Sequence, residues 1–377
     1  MASRTSANAL LGLVCVLIWL GLMGFGLWPF NFFPRNHVEW LGHTNGIHFN
    51  GYGEVYGAVA GQFSDDTGSV AGSHTVEVWL NPWEKVYPEV TAIFSVDNPS
   101  DSPNFAVLQS GPDLLIRGRF LDRNANHVVV RKLWMDDACR KGEPRFITLT
   151  SGPDGSALYL EGVLQKTYPL ALISDNLSGR ILIGHPPAGN QEWTGDLLGV
   201  AIYNRALTDH EVLKHYEDWQ NARFDDLAAA DTRISVLYPF NERTGKTVHN
   251  HTGAGPDLFI PHYFRPIRKN ALSPDLDIHL SDLYDIVVNI VGFMPFGFFG
   301  YAYLRYVRGI GSARSTFSII VLGALTSLAI EVLQVYLPTR DSSLLDVINN
   351  TLGSALGAVA MLCLGRWSLV RKKLAFD

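Results

Sequence analysis

Charged residues are scarce in this sequence. Lys, Arg, Asp and Glu make up 18% of the 377 residues, below the roughly 25% that is typical of a soluble domain. Basic residues are not in excess, since 30 Lys and Arg stand against 36 Asp and Glu; this excludes the basic stripe of a nucleic-acid-binding protein. Cysteine is also rare. Cys15, Cys139 and Cys363 are too few for a disulfide framework or a cysteine-based zinc site.

Apolar residues, by contrast, make up 47% of the chain and are concentrated in four long runs. The first run, residues 7–28, carries no charge and is long enough to cross a hydrocarbon core of roughly 30 Å. A cleaved signal peptide is the alternative, but its apolar core would be only about 7–15 residues long. The run continues into an aromatic belt, Trp28-Pro29-Phe30-Asn31-Phe32-Phe33, which favours a retained membrane anchor.

Three further apolar runs predict three more transmembrane helices near the C-terminal end. They cover residues 284–303, 316–336 and 344–364, each close to the length of about 20 residues that a spanning helix needs. Lys and Arg are concentrated between the second and third helices and after the fourth, which predicts that both ends of the chain are cytoplasmic. The segment between the first and second helices is then extracytoplasmic. The basic residues that set this orientation are Arg305, Arg308, Arg314, Arg366, Arg371, Lys372 and Lys373.

The segment between the first and second helices has the pattern of an all-β sandwich. Short stretches rich in β-branched and aromatic residues are separated by Gly, Pro, Asn and Asp, without alternating helices. A single helix is predicted from Thr208, because Thr208 and Glu211 have the spacing of a capping box. The predicted strands include residues 74–79, 105–108, 126–131, 146–150, 157–160 and 180–183.

This segment resembles the laminin-G-like branch of the concanavalin A-like (jelly-roll) sandwiches. The resemblance rests on HTVEVWLNP from residue 74, RFITLTSGPDGSALYLEGVL from residue 145 and GRILIGHPPAGNQEWTGDLLGVAIYNRALTDHEVLKHY from residue 179. One departure concerns residues 237–249, which resemble the strand that usually opens such a domain but here follow its closing helix. Residues 234–260 are therefore expected to supply the last strands of the sandwich.

The resemblance implies that the sandwich binds a glycan or a protein. Four aromatic residues are candidate stacking platforms for sugars, although each could instead fill the core: Trp83, Tyr87, Trp134 and Trp193. Asp196 is a candidate calcium ligand, as in some relatives, and no other cofactor is expected. The glucanase branch carries an acidic Glu-x-Asp-x-x-Glu strand to supply its two carboxyl groups, and this sequence has no such strand. A glycosidase is therefore disfavoured.

Polar residues within the three C-terminal membrane helices are not scattered. An ionisable group inside the membrane costs at least about 2.5–3.5 kcal/mol on insertion scales, so such residues indicate a functional site. The predicted orientation and the helical spacing bring these groups to one pocket at the outer membrane face. The alternative is a structural ion pair between Glu331 and Arg340 that only joins two helices. The predicted pocket contains Asp285, Asn289, Glu331, Gln334, Arg340, Asp346, Asn349 and Asn350.

These helices resemble the VanZ-like family over residues 282–364. The family is named for a protein linked to low-level resistance to the glycopeptide antibiotic teicoplanin, so the resemblance implies a bacterial cell-envelope protein but no particular reaction. The Trp28-Pro29-Phe30 element is similar to the end of the family's opening helix. The matching motifs are Asp285…Asn289…Phe293-Met-Pro-Phe-Gly297, Glu331-Val-Leu-Gln334, Pro338-Thr-Arg340 and Asp346-Val-Ile-Asn349-Asn350…Gly353…Gly357.

The sequence thus predicts a four-helix membrane domain with a sandwich inserted after its first helix. The expected boundaries are 1–35 for the first helix, 36–277 for the sandwich, 278–366 for the VanZ-like helices and 367–377 for a cytoplasmic tail.

Two functions are compatible with this layout. In the first, the sandwich holds an envelope glycan or protein near the polar pocket, among membrane lipids. In the second, the pocket is an active site for a lipid-linked envelope precursor, with Glu331 or Asp346 as acid or base and Arg340 on a phosphate. The lack of a nucleophile motif or phosphate loop favours the first.

Overall fold

A computed structural model describes residues 2–62, 72–83, 90–97, 103–122, 127–174, 177–184, 193–253, 255–264, 271–273 and 282–374. The chain forms two units. A helical unit contains Met1–Phe33 and Lys269–Asp377, and a β unit contains Pro34–Arg268.

The β unit is a sandwich of two antiparallel sheets, as the sequence predicts. The first sheet has the strand order β1-β2-β13-β4-β9-β10-β11, with β14 also paired to β13. Its strands are β1 (Val38–Trp40), β2 (Ile47–Phe49), β4 (His74–Pro82), β9 (Arg145–Gly152), β10 (Gly155–Leu160), β11 (Val163–Tyr168), β13 (Gly195–Tyr203) and β14 (Ile234–Tyr238).

The second sheet has the order β15-β16-β3-β12-β5-β6-β7-β8. Side chains from both sheets meet in one core, to which Leu80 and Leu197 of the first sheet and Phe94 and Ile181 of the second contribute. The strands of the second sheet are β3 (Val55–Gln62), β5 (Val90–Asp97), β6 (Pro103–Ser110), β7 (Asp113–Asp122), β8 (His127–Met135), β12 (Ser178–Ile183), β15 (Thr247–Val248) and β16 (Leu258–Phe259).

The expectation that residues 234–260 complete the sandwich is confirmed. In the first sheet β14 pairs with β13, with Tyr238 opposite Val200. In the second sheet β16 pairs with β3, with Leu258 opposite Gly57. The late segment therefore contributes one strand beside the long β13 and two strands at the edge of the other sheet.

Two helices, α2 (Asp209–Gln220) and α3 (Phe224–Ala230), follow β13. They pack on the outer face of the first sheet, defined here as the face turned away from the core between the sheets. The predicted capping box of Thr208 and Glu211 is present at the start of α2. Arg205 donates two hydrogen bonds of 2.8 Å to Glu211 and so lowers the pKa of that carboxyl to about 2.

Within its described residues, the helical unit contains four helices that are each long and apolar enough to cross a membrane. They are α1 (Ala2–Gly26), α4 (Asp282–Ala302), α5 (Ser312–Gln334) and α6 (Leu344–Leu374), and a π-helical turn (Tyr303–Val307) continues α4. The last helix ends ten residues later than the run 344–364 predicts. The first eight residues of the predicted tail are helical, because no Gly or Pro stops the helix after Gly365 and Leu, Arg and Lys favour its continuation.

Close backbone contact joins α4 to α6, at the point where α6 carries the pattern Gly353-Ser-Ala-Leu-Gly357. A Cβ added at Gly353 would lie 2.2 Å from the carbonyl oxygen of Ile290, and one at Gly357 would lie 2.0 Å from that of Met294. Only glycine allows the two backbones to approach this closely, which is the physical content of a GxxxG motif.

Candidate functional site

A polar cavity of about 960 Å³ lies in the helical unit. Residues of all four helices line it, together with the turn between α5 and α6. Seven of the eight residues that the sequence predicts for a membrane pocket lie on its wall: Asp285, Asn289, Glu331, Gln334, Arg340, Asp346 and Asn350. The polar groups predicted from helical spacing thus do converge on one site.

Amide side chains join the helices around this cavity. Asn289 of α4 donates from Nδ2 to Oδ1 of Asp346 on α6, at 2.8 Å. One turn further along α6, Asn350 donates from Nδ2 to the hydroxyl of Ser327 on α5, also at 2.8 Å. These two bonds fix α6 against both neighbours at the level of the cavity.

Glu331 is 2% exposed and lines the cavity wall. The backbone N–H of Ser343 donates to its Oε2 at 2.8 Å, whereas its Oε1 accepts no hydrogen bond from the described residues. Ser343 directly precedes α6, so Glu331 satisfies one of the free N–H groups at the start of that helix. The carboxylate also lies at the positive end of the α6 dipole, which stabilises a negative charge.

The end of α1 is held by two donors from the α5 side. Gln334 donates from Nε2 to the carbonyl oxygen of Gly26 at 2.8 Å, and Arg340 donates from Nε to that of Trp28 at 3.2 Å. The ion pair between Glu331 and Arg340, considered above as a structural alternative, is not formed among the residues that the structure describes. The two side chains share the cavity wall but bind different partners.

Asn349 is the one predicted pocket residue that the structure does not place on the cavity wall. The residue is buried, and its Nδ2 has no hydrogen-bond partner within the part of the chain that the structure describes. Helical spacing explains its position, because Asn349 lies one turn before Gly353 on the side of α6 that packs against Ile290 of α4. Asp346 and Asn350 occupy the neighbouring stripe, which faces the cavity.

A second cluster of polar residues lies on the outer face of the first sheet of the sandwich. His48 of β2 and Asn81 of β4 are the cross-strand neighbours of Asp196 on β13. His48 Nδ1 lies 2.6 Å from Asp196 Oδ1, and Asn81 Nδ2 donates to Asp196 Oδ2 at 3.0 Å. These three side chains are called the polar row below.

Trp83 follows β4 and extends the polar row with an aromatic surface. Its side chain is 43% exposed, and the centres of the Trp83 and His48 rings are 4.8 Å apart. The main chain of Trp83 is held on both sides, since its N–H donates to Thr194 O at 3.2 Å and its carbonyl accepts from Gln109 Nε2 at 3.0 Å. An exposed indole is therefore presented in a fixed position beside a carboxylate and an imidazole.

Trp193 is not a surface platform; that candidate role is wrong. Its side chain is fully buried, and its Nε1 donates to Gln109 Oε1 at 2.7 Å. Because Gln109 also donates to the carbonyl of Trp83, Trp193 belongs to the support beneath Trp83. Burial of the large indole with its single N–H satisfied is the usual arrangement for a core tryptophan.

The other two aromatic candidates lie apart from this cluster. Trp134 is 39% exposed on β8, at the edge of the second sheet, so it lies on the sheet opposite to that of the polar row and Trp83. Tyr87 lies outside the described residues.

The sequence analysis did not identify His48, Asn81 and Gln109 as site residues. The first two could have been found, because they lie at outward positions of strands that alternate apolar and polar residues.

Asp196, the candidate calcium ligand, uses both carboxylate oxygens for hydrogen bonds to His48 and Asn81. Among the residues that the structure describes, no group of three or more His, Cys, Asp or Glu side chains could hold a metal ion. The polar row is thus held together by hydrogen bonds within the protein.

Comparison with known proteins confirms both predicted resemblances. Residues 232–365 match the VanZ/LLP1 family model, and residues 57–213 match the model of the concanavalin A-like lectin/glucanases superfamily. No curated protein matches the chain significantly.

Solved structures that match part of this chain include two toxin binding domains. The receptor binding domain of botulinum neurotoxin C/D mosaic serotype is 14% identical with a TM-score of 0.37, covering 48% of this chain and 45% of that one. The binding domain of Paraclostridial Mosquitocidal Protein 1 is 15% identical with a TM-score of 0.38, covering 50% and 47%. This chain therefore spans less than half the length of either domain. The CBM40 of Ruminococcus gnavus IT-sialidase is 15% identical with a TM-score of 0.31, covering 44% of this chain and 100% of that one.

Proposed function

We propose that this multi-pass membrane protein, which combines VanZ-like helices with a concanavalin A-like lectin sandwich, holds a glycan of the bacterial cell envelope at the outer side of the cytoplasmic membrane. The sandwich is the binding part, and the polar row with Trp83 is its contact surface. The helices anchor this surface to the membrane.

The exposed indole of Trp83 beside the polar row carries the proposal. A sugar ring offers an apolar C–H face for an aromatic ring and hydroxyl groups at its edge for polar side chains. Trp83 supplies the aromatic face, while Asp196 and His48 supply a carboxylate and a ring nitrogen at the same place. Because a tryptophan has few rotatable bonds, fixing it in a complex costs little entropy. This combination favours a glycan over a flat protein surface as the ligand.

The carboxylate of Asp196 also narrows the class of glycan. It repels anionic groups and accepts hydrogen bonds from hydroxyl or ammonium groups. Neutral or amine-bearing sugars are therefore expected to bind better than phosphate-rich or sulfate-rich polymers.

The orientation follows from the Lys and Arg residues. Arg305, Arg308 and Arg314 lie at the turn between α4 and α5, and four more basic residues lie at the C-terminal end of the chain. The positive-inside rule makes both regions cytoplasmic. The chain segment between α1 and α4, which forms the sandwich, is then extracytoplasmic.

A glycan array probed with the full-length protein in detergent tests this function. We expect binding to neutral or amine-bearing envelope glycans, including peptidoglycan fragments. Trp83→Ala should weaken it about tenfold or more, as truncation of a central interface tryptophan typically does. Trp134→Ala is the matched control, because it removes an equally exposed indole from the other sheet.

Two results would count against the proposal. Loss of binding in Trp134→Ala but not in Trp83→Ala would place the ligand on the second sheet. Binding that is strongest for anionic polymers would contradict the role of Asp196.

The second candidate function, catalysis on a lipid-linked precursor, is supported by the burial of Glu331 on the wall of a large cavity. Purified protein incubated with a lipid-linked glycan precursor should then release product, and Glu331→Gln should abolish the release in protein that still unfolds cooperatively on heating. Arg340, the candidate phosphate ligand, instead holds the end of α1 through Nε, so we favour glycan binding as the principal function.

A further inference from the structure

The hydrogen bonds around the membrane cavity leave one kind of group without partners. The side-chain amide nitrogens of Asn289, Gln334 and Asn350 each donate one hydrogen bond to an atom of the protein. On the acceptor side, Glu331 and Asp346 each use one carboxylate oxygen, for Ser343 and Asn289 respectively. Each of these amide nitrogens thus has a partner within the protein, whereas several acceptor oxygens of the cavity do not have one among the described residues.

Several cavity-lining acceptors have no partner among the described residues. Gln334 is 8% exposed and Asn350 is 4% exposed, and the amide oxygen of each is buried without a hydrogen bond. Oε1 of Glu331 and Oδ2 of Asp346 likewise accept no bond from these residues. Leaving a buried acceptor unsatisfied costs about 1–3 kcal/mol, and more when the group is charged. A bound group that donates several hydrogen bonds would remove these costs together.

The formal charges on the cavity wall also favour a ligand that donates hydrogen bonds and carries a positive charge. Four carboxyl groups, those of Asp285, Glu331, Asp341 and Asp346, line it together with a single guanidinium, that of Arg340. The start of α6 would otherwise attract an anion, but Glu331 already accepts from Ser343 there. The arrangement therefore favours a cation over a phosphate or carboxylate.

Part of the wall is apolar. Leu22 and Phe25 of α1, Phe293 of α4 and Ile330 of α5 line the cavity beside the polar groups. A ligand with a cationic head and a hydrocarbon tail would match both kinds of surface, and such molecules are concentrated in the membrane that surrounds the helices.

We propose that this cavity binds the primary ammonium group of an amphiphile. The ammonium carries three N–H donors and one positive charge, which match the free oxygens of Glu331, Asp346 and the two amides. The tail lies against the apolar wall. This site is independent of the glycan surface of the sandwich, so either can fail without the other.

Thermal unfolding of the full-length protein in a neutral detergent tests the proposal with three probes of equal tail length. Dodecylammonium has the charge and the donors, dodecyltrimethylammonium has the charge only, and dodecyl sulfate is anionic. We expect saturable stabilisation by dodecylammonium, at concentrations about tenfold or more below those at which dodecyltrimethylammonium acts. Dodecyl sulfate should give no saturable stabilisation.

Variants connect this effect to the cavity. Glu331→Gln should weaken the dodecylammonium effect about tenfold or more. Asp285→Asn changes the cavity with less risk to folding, because Asp285 lines the cavity but makes no hydrogen bond with the described residues. It should weaken the dodecylammonium effect while the unliganded protein stays as stable as wild type. Glu217→Gln, an exposed carboxylate on α2, is the charge-matched control and should leave the effect unchanged.

Nanodiscs of different lipid composition distinguish the possible sources of the ammonium group. Greater stability in phosphatidylethanolamine than in phosphatidylglycerol would identify a phospholipid head group as one source. Stabilisation by dodecylammonium with no such difference between lipids would support an amine-bearing amphiphile of another kind. Equal responses to the ammonium and trimethylammonium probes, or a dodecylammonium response unaffected by Glu331→Gln and Asp285→Asn, would overturn the proposal, as would no response to any probe.

Discussion

Nδ1 of His215 on α2 lies 2.9 Å from Oε1 of Glu77 on β4, and both side chains are buried. The second oxygen of Glu77 accepts from Trp219 Nε1 at 3.0 Å and from Tyr203 OH at 3.2 Å. Burial alone would lower the pKa of His215, but the hydrogen bond to Glu77 and its negative charge outweigh burial and raise it. Arg205 opposes this rise, and Asp218 adds to it.

The raised pKa of His215 predicts a pH dependence of stability. A histidine whose pKa is higher in the folded than in the unfolded protein stabilises the fold fully below its unfolded pKa of about 6.5. That contribution is lost as the pH rises through the folded pKa. The thermal unfolding temperature of wild type should therefore fall as the pH rises above about 6.5 and through the folded pKa of His215. This fall should be absent in His215→Gln. An identical pH profile for the two proteins would show that the imidazolium is not stabilised by Glu77.

Removing the carboxylate tests the same network from the other side. Glu77→Gln strands a buried histidine, and breaking a buried pair in this way costs about 3–5 kcal/mol. Chemical denaturation should show a loss of that size in the free energy of unfolding. Glu217→Gln is the control, because it removes an exposed carboxylate from α2, the helix that carries His215. It should change the free energy of unfolding by less than about 0.5 kcal/mol.

The Glu77 network also shows where sequence reasoning stops. Alternation along HTVEVWLNP correctly predicts a strand, and it assigns Glu77 to the outer face of the sheet. Whether that face meets water depends on α2 and α3, which begin more than 100 residues later in the chain. They cover the strand at Glu77 and leave it partly open at Asn81. Distant packing therefore decides which outward residue is structural and which is available for a ligand.

The membrane helices were predicted more completely because the features that define them lie within one continuous stretch of sequence. Length and lack of charge define a spanning segment, and polar residues within it must face other helices. Asp285, Glu331 and Asp346 could therefore be placed together. The contacts of Arg340 could not, since its acceptor is a backbone carbonyl of Trp28, and every residue has such a group.

The glycine contacts between α4 and α6 predict a selective effect of small substitutions. Gly357→Ala would put a Cβ 2.0 Å from the carbonyl oxygen of Met294, so the helices must separate, at a cost of about 1–3 kcal/mol. A lower thermal unfolding temperature in detergent is expected. Gly21→Ala in α1, where nothing lies within 4 Å, is the control and should be neutral or slightly stabilising. Equal effects of the two changes would contradict the packing of α4 on α6.

Membrane orientation can be measured with introduced cysteines but not with Cys139. This residue is 1% exposed in the sandwich core, and burial raises the pKa of its thiol to about 12, so it should not react in the folded protein. With Cys15 and Cys363 changed to Ser, a membrane-impermeant maleimide should label Asp154→Cys in intact spheroplasts. It should label Arg314→Cys only after permeabilisation. The reverse pattern would invert the proposed topology.

The polar cavity predicts two different double-mutant cycles. Asn289 and Asp346 share a direct hydrogen bond of 2.8 Å, and residues in contact typically show interaction energies of about 0.5–3 kcal/mol. Glu331 and Arg340 bind Ser343 and Trp28 instead, so their coupling should be weaker. In thermal or chemical unfolding, Asn289→Ala with Asp346→Ala should therefore deviate from additivity by more than Glu331→Gln with Arg340→Gln. Strong coupling confined to the second pair would show that Glu331 and Arg340 form a direct ion pair in the membrane, and the hydrogen-bond arrangement of the cavity would have to be revised.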